Sequence, residues 1–193
     1  MRLKILVAES RGFSTPAAEL LRQVGEVVLA ELNRVDLLQA VRGADVLWVR
    51  LRHRIDAEIL AAAPSLRIIV TPTTGLNHID VEDADKRGLR VLSLRDEVDL
   101  LREVRATAEH TLALLLALLR HIPAAVSHVR GGGWDRDLFR GHELFGKTVG
   151  IVGYGRLGGI VARSVEALGA RIVVTDPRLE AQTVEGADRK SVV

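Results

Sequence analysis

The sequence predicts an α/β protein in which parallel strands are covered by helices. Short apolar runs rich in Val and Ile alternate with helical patterns from the first residues onward. Hydrophobic residues make up 48% of the 193 residues and aromatic residues only 3%, which is a composition typical of this class. Five strand patterns with four helical patterns between them precede residue 94, and this spacing predicts a compact, doubly wound sheet.

The first half of the chain is expected to form one domain, residues 1–98, with a flavodoxin-like doubly wound parallel sheet. Its strands are predicted at Leu3–Ala8, Val27–Ala30, Asp45–Val49, Arg67–Thr71 and Leu89–Ser93. Its helices are predicted at Pro16–Val24, Val35–Val41, Asp56–Ala63 and Val81–Arg87. Ser14 or Thr15 is the expected cap of the first helix, and Gly88 is the expected end of the fourth.

Residues 99–193 are expected to form a second domain after a polar connector, Leu94–Arg105. A long helix is predicted at about Ala106–His121, and a bend at Pro123 leads into a second helix that reaches Arg130. The GGGW sequence at 131–134 indicates a flexible break. One βαβ unit is then predicted from Val149–Val152, Arg156–Leu168 and Arg171–Thr175, and the final ADRKSVV is the expected start of a third strand.

Charge and composition argue against several classes of protein. The net charge is +2, and the basic residues are scattered without a block of like charges, which disfavours nucleic-acid binding. The absence of cysteine excludes disulfides and Cys-ligated metal sites. The most apolar segment, Leu112–Leu119, is far shorter than the ~20 residues that span a bilayer. We expect a cytoplasmic protein with neither nucleic acid nor membrane as partner, and no metal site.

A glycine-rich turn lies between the first strand and the helix of the predicted βαβ unit. It has the pattern GxGxxG, and its residues are Gly153, Tyr154, Gly155, Arg156, Leu157 and Gly158. The next strand ends in Asp176, 176 − 158 = 18 residues after the third glycine. This strand–turn–helix–strand context is typical of the first part of a Rossmann dinucleotide-binding domain. No Gly-Lys-Ser/Thr closes the turn, so it is not a P-loop.

Each residue type in this turn has a physical role in binding a dinucleotide. Gly153 permits the tight turn, Gly155 lets the backbone approach a pyrophosphate, and Gly158 lets the helix pack on the strand. The N-terminus of the helix offers N–H groups to phosphates. Asp176 is expected to accept hydrogen bonds from the ribose hydroxyls and to repel a 2′-phosphate, which favours NAD over NADP. A plain glycine-rich turn with an exposed aspartate is the alternative.

Several segments together resemble one enzyme family. These are VLWVRLRHRIDAEILAAAPSLRIIVTPTTGLNHIDVEDADKRGLRVL, TAEHTLALLLALLR, GGGWDR and GKTVGIVGYGRLGGIVARSVEALGARIVVTDPR. In this order they resemble the D-isomer-specific 2-hydroxyacid dehydrogenases, the family of phosphoglycerate, glycerate and formate dehydrogenases. The resemblance covers essentially the whole chain. It implies an NAD-dependent oxidoreductase that transfers a hydride between NAD and a small 2-hydroxy or 2-oxo acid.

The resemblance also implies a substrate site. Thr74, Gly75 and Leu76 match the loop whose backbone amides hold the substrate carboxylate, and this loop follows a parallel strand, where such folds bind ligands. Arg50 matches a position that approaches an anionic group of the substrate in phosphoglycerate-type members, and Arg52 is a weaker candidate. His78 and Asp80 are expected to order the loop and cap the next helix rather than to do chemistry.

Two departures from the family pattern stand out. Ser93-Leu94-Arg95 replaces the usual Asn-Thr-Pro-like turn after the fifth strand. The family's catalytic arginine, glutamate and histidine lie downstream of the position of Asp176, so no catalytic residue is assigned here. We therefore expect the chain to be a truncated, N-terminal portion without activity. The alternatives are a non-catalytic NAD-binding or interaction protein and a pseudoenzyme of the same fold.

The helix containing TLALLLALL is apolar on nearly every face, so it is expected to be buried against something large. The resemblance implies a homodimer through the helices of Ala106–Arg130, and an intramolecular core is the alternative. His110, His121 and His128 lie on or beside these helices without metal-ligand spacing, so packing or surface roles are expected for them.

Overall fold

The structure, a computed structural model, describes residues 2–95 and 97–178. The chain divides into two compact units, residues 1–101 and 102–193. The sequence places a functional division between residues 98 and 99, and the assignment of substrate and cofactor roles to the two parts stays a prediction. The predicted strand at ADRKSVV lies outside the described residues.

The first unit contains a five-stranded sheet in which all neighbouring strands are parallel. The strand order is β2-β1-β3-β4-β5. The strands are β1 (Leu3–Val7), β2 (Gly25–Leu29), β3 (Val46–Trp48), β4 (Ile68–Val70) and β5 (Arg90–Leu92). This order is that of a flavodoxin-like doubly wound sheet, so the predicted fold class is confirmed.

Four helices connect these strands: α1 (Thr15–Val24), α2 (Arg34–Ala40), α3 (Ala57–Ala61) and α4 (Val81–Lys86). The last three begin at side-chain caps, because Asn33, Asp56 and Asp80 each accept a hydrogen bond from a backbone N–H in the first turn. Ser14 is the N-cap residue of α1, but its side chain makes no capping hydrogen bond. Pro16 occupies one of the first two helical positions and has no N–H to donate.

The core of the first unit lies between the sheet and the helices that follow β2, β3 and β4. Leu47 and Ile69 from the central strands are fully buried with Leu37 of α2 and Ile59 of α3. Each such side chain contributes about 1.5–3 kcal/mol through burial.

Successive residues of the central strands, such as Leu6 and Val7 of β1, are both buried, so these strands are covered on both faces and are apolar throughout. The edge strands are less covered, and Val28 of β2 and Leu92 of β5 are exposed.

The second unit contains a two-stranded parallel sheet and three longer helices. Its elements are α6 (Ala106–Leu119), α7 (Ile122–Arg130), β6 (Thr148–Val152), α8 (Arg156–Ala167) and β7 (Arg171–Thr175). The break between α6 and α7 falls at His121, which has a left-handed backbone (φ 51°), and not at Pro123 as predicted. Pro123 instead lies in the first turn of α7, where its missing N–H costs nothing.

All the predicted elements within the described residues are present, with ends that agree to within two residues. One helix was missed: α5 (Val98–Glu103) lies in the stretch predicted to be a polar connector. Only six residues long, it is too short for a helical repeat of apolar positions to stand out from its charged neighbours. A 3₁₀ turn at Asp137–Phe139, inside the predicted loop, was missed for the same reason.

The long helix α6 is buried on one side within its own unit, and the expected burial of its other side against a second copy of the chain stays a prediction. Leu112, Leu115, Leu116 and Leu119 pack against a core formed by β6, α8 and β7. Leu114 and Leu118 are 58% and 72% exposed. Among the described residues, no single helix is long and apolar enough to cross a membrane. The bent pair of helices Val98–Leu119 and Ile122–Arg130 is long and apolar enough when taken together, by length and composition alone.

Candidate functional site

The glycine-rich turn of the second unit joins the end of β6 to the start of α8. Gly153 has φ 91°, a conformation that favours glycine, and its N–H donates to the carbonyl of Thr175 at 2.7 Å. A Cβ at Gly158 would overlap the carbonyl oxygen of Gly153. The first and third glycines of the motif therefore have the turn and packing roles that the sequence predicts for them.

The N-terminus of α8 is open to a ligand. The backbone N–H groups of Gly155, Leu157 and Gly158 have no acceptor among the described residues. These amides lie at the positive end of the helix dipole, where an anion is stabilised. The arrangement suits a phosphate group.

Asp176 connects this turn to the end of β7. Its carboxylate accepts hydrogen bonds from the N–H of Tyr154 (2.8 Å) and from the N–H and Nε of Arg178 (2.9 and 3.3 Å). The N–H and guanidinium of Arg178, and then the N–H of Tyr154, hold the pKa of Asp176 below its usual value. The side chain is only 5% exposed, whereas the alternative of a plain glycine-rich turn expects an exposed aspartate.

Arg178 is a residue of this site that the sequence analysis did not single out. Its Nη2 lies 3.5 Å from the position that a Cβ on Gly155 would occupy, beside the glycine turn. Its spacing of two residues from Asp176 was the available signal. Two other side chains of the motif contact the second unit itself. Nη1 of Arg156 donates to the carbonyl of Val104 at 2.8 Å. Tyr154 packs on the core of the unit.

The first unit presents a different kind of site in the loop after β4. The backbone N–H groups of Thr74, Gly75 and Leu76 have no acceptor among the described residues. The carbonyl of Thr74 accepts from Nε of Arg95 (3.4 Å), and the carbonyl of Gly75 accepts from Oγ1 of Thr73 (2.8 Å). In a trans peptide the N–H points opposite to the C=O. The two captured carbonyls therefore turn the amides of Gly75 and Leu76 outward, as an anion requires.

Arg95 was visible in the sequence only as a departure from the family pattern after the fifth strand. The structure gives it a specific contact, since its Nε donates to the carbonyl of Thr74. The neighbouring Leu94 donates its N–H to the carbonyl of Thr73 at 3.1 Å. The turn after β5 therefore supports the loop after β4, because both of its hydrogen bonds go to carbonyls of that loop.

His78 and Asp80 order this loop, as predicted. Nε2 of His78 lies 3.2 Å from Oγ1 of the buried Thr71, which in turn lies 3.0 Å from Oγ1 of Thr73. Burial lowers the pKa of His78, and the charge of Glu9 offsets only part of this effect. Asp80 caps α4 through a 3.0 Å hydrogen bond from the N–H of Asp83.

The two candidate arginines after β3 differ in their surroundings. The guanidinium of Arg52 forms an ion pair with Glu31, which fits its weaker candidacy. Nη1 of Arg50 donates to the carbonyl of Arg11 at 3.3 Å, and the described residues offer this guanidinium no carboxylate partner. The guanidinium of Arg50 thus keeps its charge available for an anion.

Glu9 fixes the segment that carries both arginines, and the sequence analysis missed it. Its carboxylate, in a residue only 6% exposed, accepts the N–H of Arg50 at 2.9 Å and that of Arg52 at 3.3 Å. The signal was an acidic residue two positions after the buried strand β1. The described residues contain no group of three or more His, Asp or Glu side chains that could hold a metal ion.

Comparisons with known proteins find similarity over most of this chain. Residues 5–189 match the D-isomer specific 2-hydroxyacid dehydrogenase catalytic domain. The chain is 44% identical to D-3-phosphoglycerate dehydrogenase of Mycobacterium bovis over 173 residues, which are 90% of this chain and 32% of that protein. It is 41% identical to glyoxylate reductase of Pyrococcus furiosus over 150 residues, 74% of this chain and 43% of that protein.

The fold is shared with solved structures. A crystal structure of a Thermus thermophilus protein superimposes with a TM-score of 0.82 and 32% identity, and the match covers 96% of this chain and 63% of the other. By contrast, the chain spans only about a third of the length of the phosphoglycerate dehydrogenase of Mycobacterium bovis that it matches. On the match across residues 5–189, the chain belongs to the D-isomer specific 2-hydroxyacid dehydrogenase family.

Proposed function

We propose that this chain carries the cofactor-binding turn and the substrate-binding loop of an NAD-dependent 2-hydroxyacid dehydrogenase. The enzyme transfers a hydride between NAD and a small 2-hydroxy or 2-oxo acid. The observation that carries the proposal is the glycine turn at an open helix N-terminus, tied to the ionised Asp176 at the end of the next strand. Membership of an oxidoreductase family supports it.

In this proposal the cofactor is held by Gly153, Tyr154, Gly155, Arg156, Leu157, Gly158 and Asp176. The open N–H groups at the start of α8 bind the pyrophosphate, and Asp176 accepts hydrogen bonds from the adenine ribose. Its carboxylate oxygens have acceptor capacity beyond the three bonds they already receive. When bound, the nicotinamide supplies or accepts the hydride.

NAD is preferred over NADP because the Asp176 carboxylate stays ionised. A 2′-phosphate on the ribose would meet this negative charge at close range. Arg178 carries the opposite charge at the same place, so the preference depends on its ion pair with Asp176 remaining closed.

The substrate carboxylate is held by the outward amides of Thr74, Gly75 and Leu76. Arg50 is placed to receive a second anionic group, because its guanidinium has no carboxylate partner among the described residues. A phosphorylated or dicarboxylic acid would use this charge, whereas glyoxylate would leave it idle. Both kinds of substrate occur in the names of the relatives.

No general acid or base is assigned to this chain. His78 belongs to the hydrogen bonds that order the substrate loop, and burial lowers its pKa. A non-catalytic NAD-binding protein of the same fold is therefore the second candidate. A cytoplasmic location stays a prediction.

The proposed partner is a second copy of the chain, bound through the helices α6 and α7. Large apolar side chains in this region are exposed, and Trp134, just after α7, is 93% exposed. Leu114, Leu118, Ile122 and Val126 extend the apolar surface along the helices. Apolar side chains that follow one another along two helices are typical of a protein interface.

Titration with ADP-ribose and with its 2′-phosphorylated analogue tests the cofactor assignment. We expect the first to bind more tightly, and we expect Asp176→Ala to weaken its binding. Asp137→Ala, which removes an exposed carboxylate elsewhere in the unit, is the matched control and is expected to bind as the unchanged protein does. Equal affinity for the two ligands contradicts the NAD assignment.

A further inference from the structure

The substrate loop is supported by a row of three side chains whose hydrogen bonds can be followed proton by proton. Thr73 Oγ1 lies 2.8 Å from the carbonyl oxygen of Gly75, 3.0 Å from Oγ1 of Thr71, and Thr71 Oγ1 lies 3.2 Å from Nε2 of His78. Thr71 is 2% exposed, so its hydroxyl has no access to bulk water. The proton positions in this row follow from the chemistry of its members.

A carbonyl oxygen can only accept, so the single hydroxyl proton of Thr73 goes to Gly75. Thr73 must then accept from Thr71, which uses the single hydroxyl proton of Thr71. Thr71 in turn can only accept from His78. The imidazole of His78 therefore carries its proton on Nε2.

The direction of this chain decides where the loop amides point. Thr73 holds the carbonyl of Gly75 toward the protein, and the trans peptide then turns the N–H of Leu76 to the other side. Without the bond from Thr73, the peptide between Gly75 and Leu76 is free to rotate. Gly75 imposes no Cβ clash on such a rotation, since the space around it is open.

We propose that Thr71, Thr73 and His78 are positioning residues that hold the Gly75–Leu76 peptide with its N–H toward the substrate carboxylate, with His78 as the Nε2–H donor that fixes the direction of the chain. The proposal rests on the proposed function only in naming the substrate carboxylate as the ligand. The hydrogen-bond chain itself belongs to the protein without ligand.

The first test reads the protonation of His78 directly. Long-range ¹H–¹⁵N correlation spectra of the unliganded protein at neutral pH are expected to show the Nε2–H tautomer of His78, assigned by comparison with His78→Gln. In Thr73→Val the proton of Thr71 loses its acceptor, and a fraction of the Nδ1–H tautomer is expected. The Nδ1–H tautomer in the unchanged protein overturns the proposal.

The second test measures what the chain does for the loop. Pyruvate serves as the carboxylate probe, and its binding is followed by the amide resonances of Gly75 and Leu76. Thr73→Val is expected to bind pyruvate about 2- to 12-fold more weakly, the loss that corresponds to one hydrogen bond. Thr73→Ser keeps the hydroxyl and is expected to bind as the unchanged protein does.

A matched pair at His78 separates the position of the donor from the size of the side chain. His78→Gln places an amide N–H near the position of Nε2 and is expected to keep pyruvate binding. The amide of His78→Asn falls short of that position, and this variant is expected to weaken pyruvate binding by no more than Thr73→Val does. Equal binding by Thr73→Val and Thr73→Ser overturns the proposal. An unchanged protein that shows the Nε2–H tautomer but binds no pyruvate overturns the proposed function instead.

Discussion

Two adjacent glycines in the first turns of α8 provide a sharp test of how the glycine-rich turn is built. A Cβ at Gly158 would overlap the carbonyl oxygen of Gly153 and lie 3.1 Å from its carbonyl carbon and 3.3 Å from Cγ2 of Ile151. Of the residues that the structure describes, a Cβ at Gly159 would meet only Nη1 of Arg163, at 3.7 Å, which is ordinary contact. Gly158→Ala and Gly159→Ala therefore make the same chemical change in the same helix with opposite steric outcomes.

The magnitudes follow from two terms. Replacing glycine by alanine in a helix stabilises the fold by about 0.4–1 kcal/mol, mainly because the unfolded chain has fewer conformations. Overlap with a backbone carbonyl that cannot rotate away costs about 1–3 kcal/mol. Gly159→Ala is thus expected to raise the free energy of unfolding, and Gly158→Ala to lower it. Because the two variants share the first term, their difference isolates the steric one, about 1–3 kcal/mol.

The assay is urea unfolding followed by the amide resonances of residues 102–178, because the two compact units can unfold separately. ADP-ribose titration of the same variants reports on the turn itself. We expect Gly158→Ala to lose binding, since the helix N-terminus must move away from β6, and Gly159→Ala to keep it. Equal stabilities, or equal affinities for ADP-ribose, would refute the reasoning that Gly158 is required for close packing of helix on strand.

Three further predictions concern self-association, pH and turnover. Replacing the exposed Leu114 and Leu118 by Glu is expected to give a monomer in light scattering. Leu115 and Leu119 pack on the core of their own unit, so charged residues at these two positions are expected to unfold that unit instead. If the unchanged protein is a monomer, the dimer is contradicted. Burial lowers the pKa of His78, so the imidazole binds a proton more readily in the unfolded state than in the folded state. The free energy of unfolding is therefore expected to fall as the pH drops below about 6.5, and to fall less steeply in His78→Gln. A protein of residues 1–193 is expected to bind ligands without oxidising NADH in the presence of a panel of 2-oxo acids, because no residue in it is assigned as general acid or base. Clear turnover would contradict this prediction, and Glu109 and His110 would then be the first residues to substitute.

Much of the fold could be predicted from the sequence because its signals are local. The strands of the first unit are apolar runs of a few residues. Between β4 and β5, Asp80 marks the start of the helix and Gly88 marks its end. The glycine turn is recognisable because the strand, the three glycines and the helix are contiguous in the chain. Predictions of this kind need no knowledge of which distant segments meet.

Long-range contacts of the candidate sites could not be predicted in the same way. Glu9 lies 41 residues from Arg50, and Arg95 lies 21 residues from Thr74, yet each pair is joined by a hydrogen bond. No pattern within either segment specifies its partner, because the contact depends on the order in which the strands lie in the sheet.

The sequence by itself determined the class of fold, the family and the positions of the glycine turn and of the loop after β4, because each depends on residues that are neighbours in the chain. Only the tertiary structure decided which atoms those residues contact. It showed that the buried carboxylate of Asp176 accepts the N–H of Tyr154, and that Leu115 contacts the core while Leu114 faces outward. It also showed that the carbonyls of Thr74 and Gly75 are hydrogen-bonded, while the N–H groups of Gly75 and Leu76 have no acceptor among the described residues. The physical reason is that side-chain direction and hydrogen-bond pairing are set by packing between elements, and packing is a property of the folded chain.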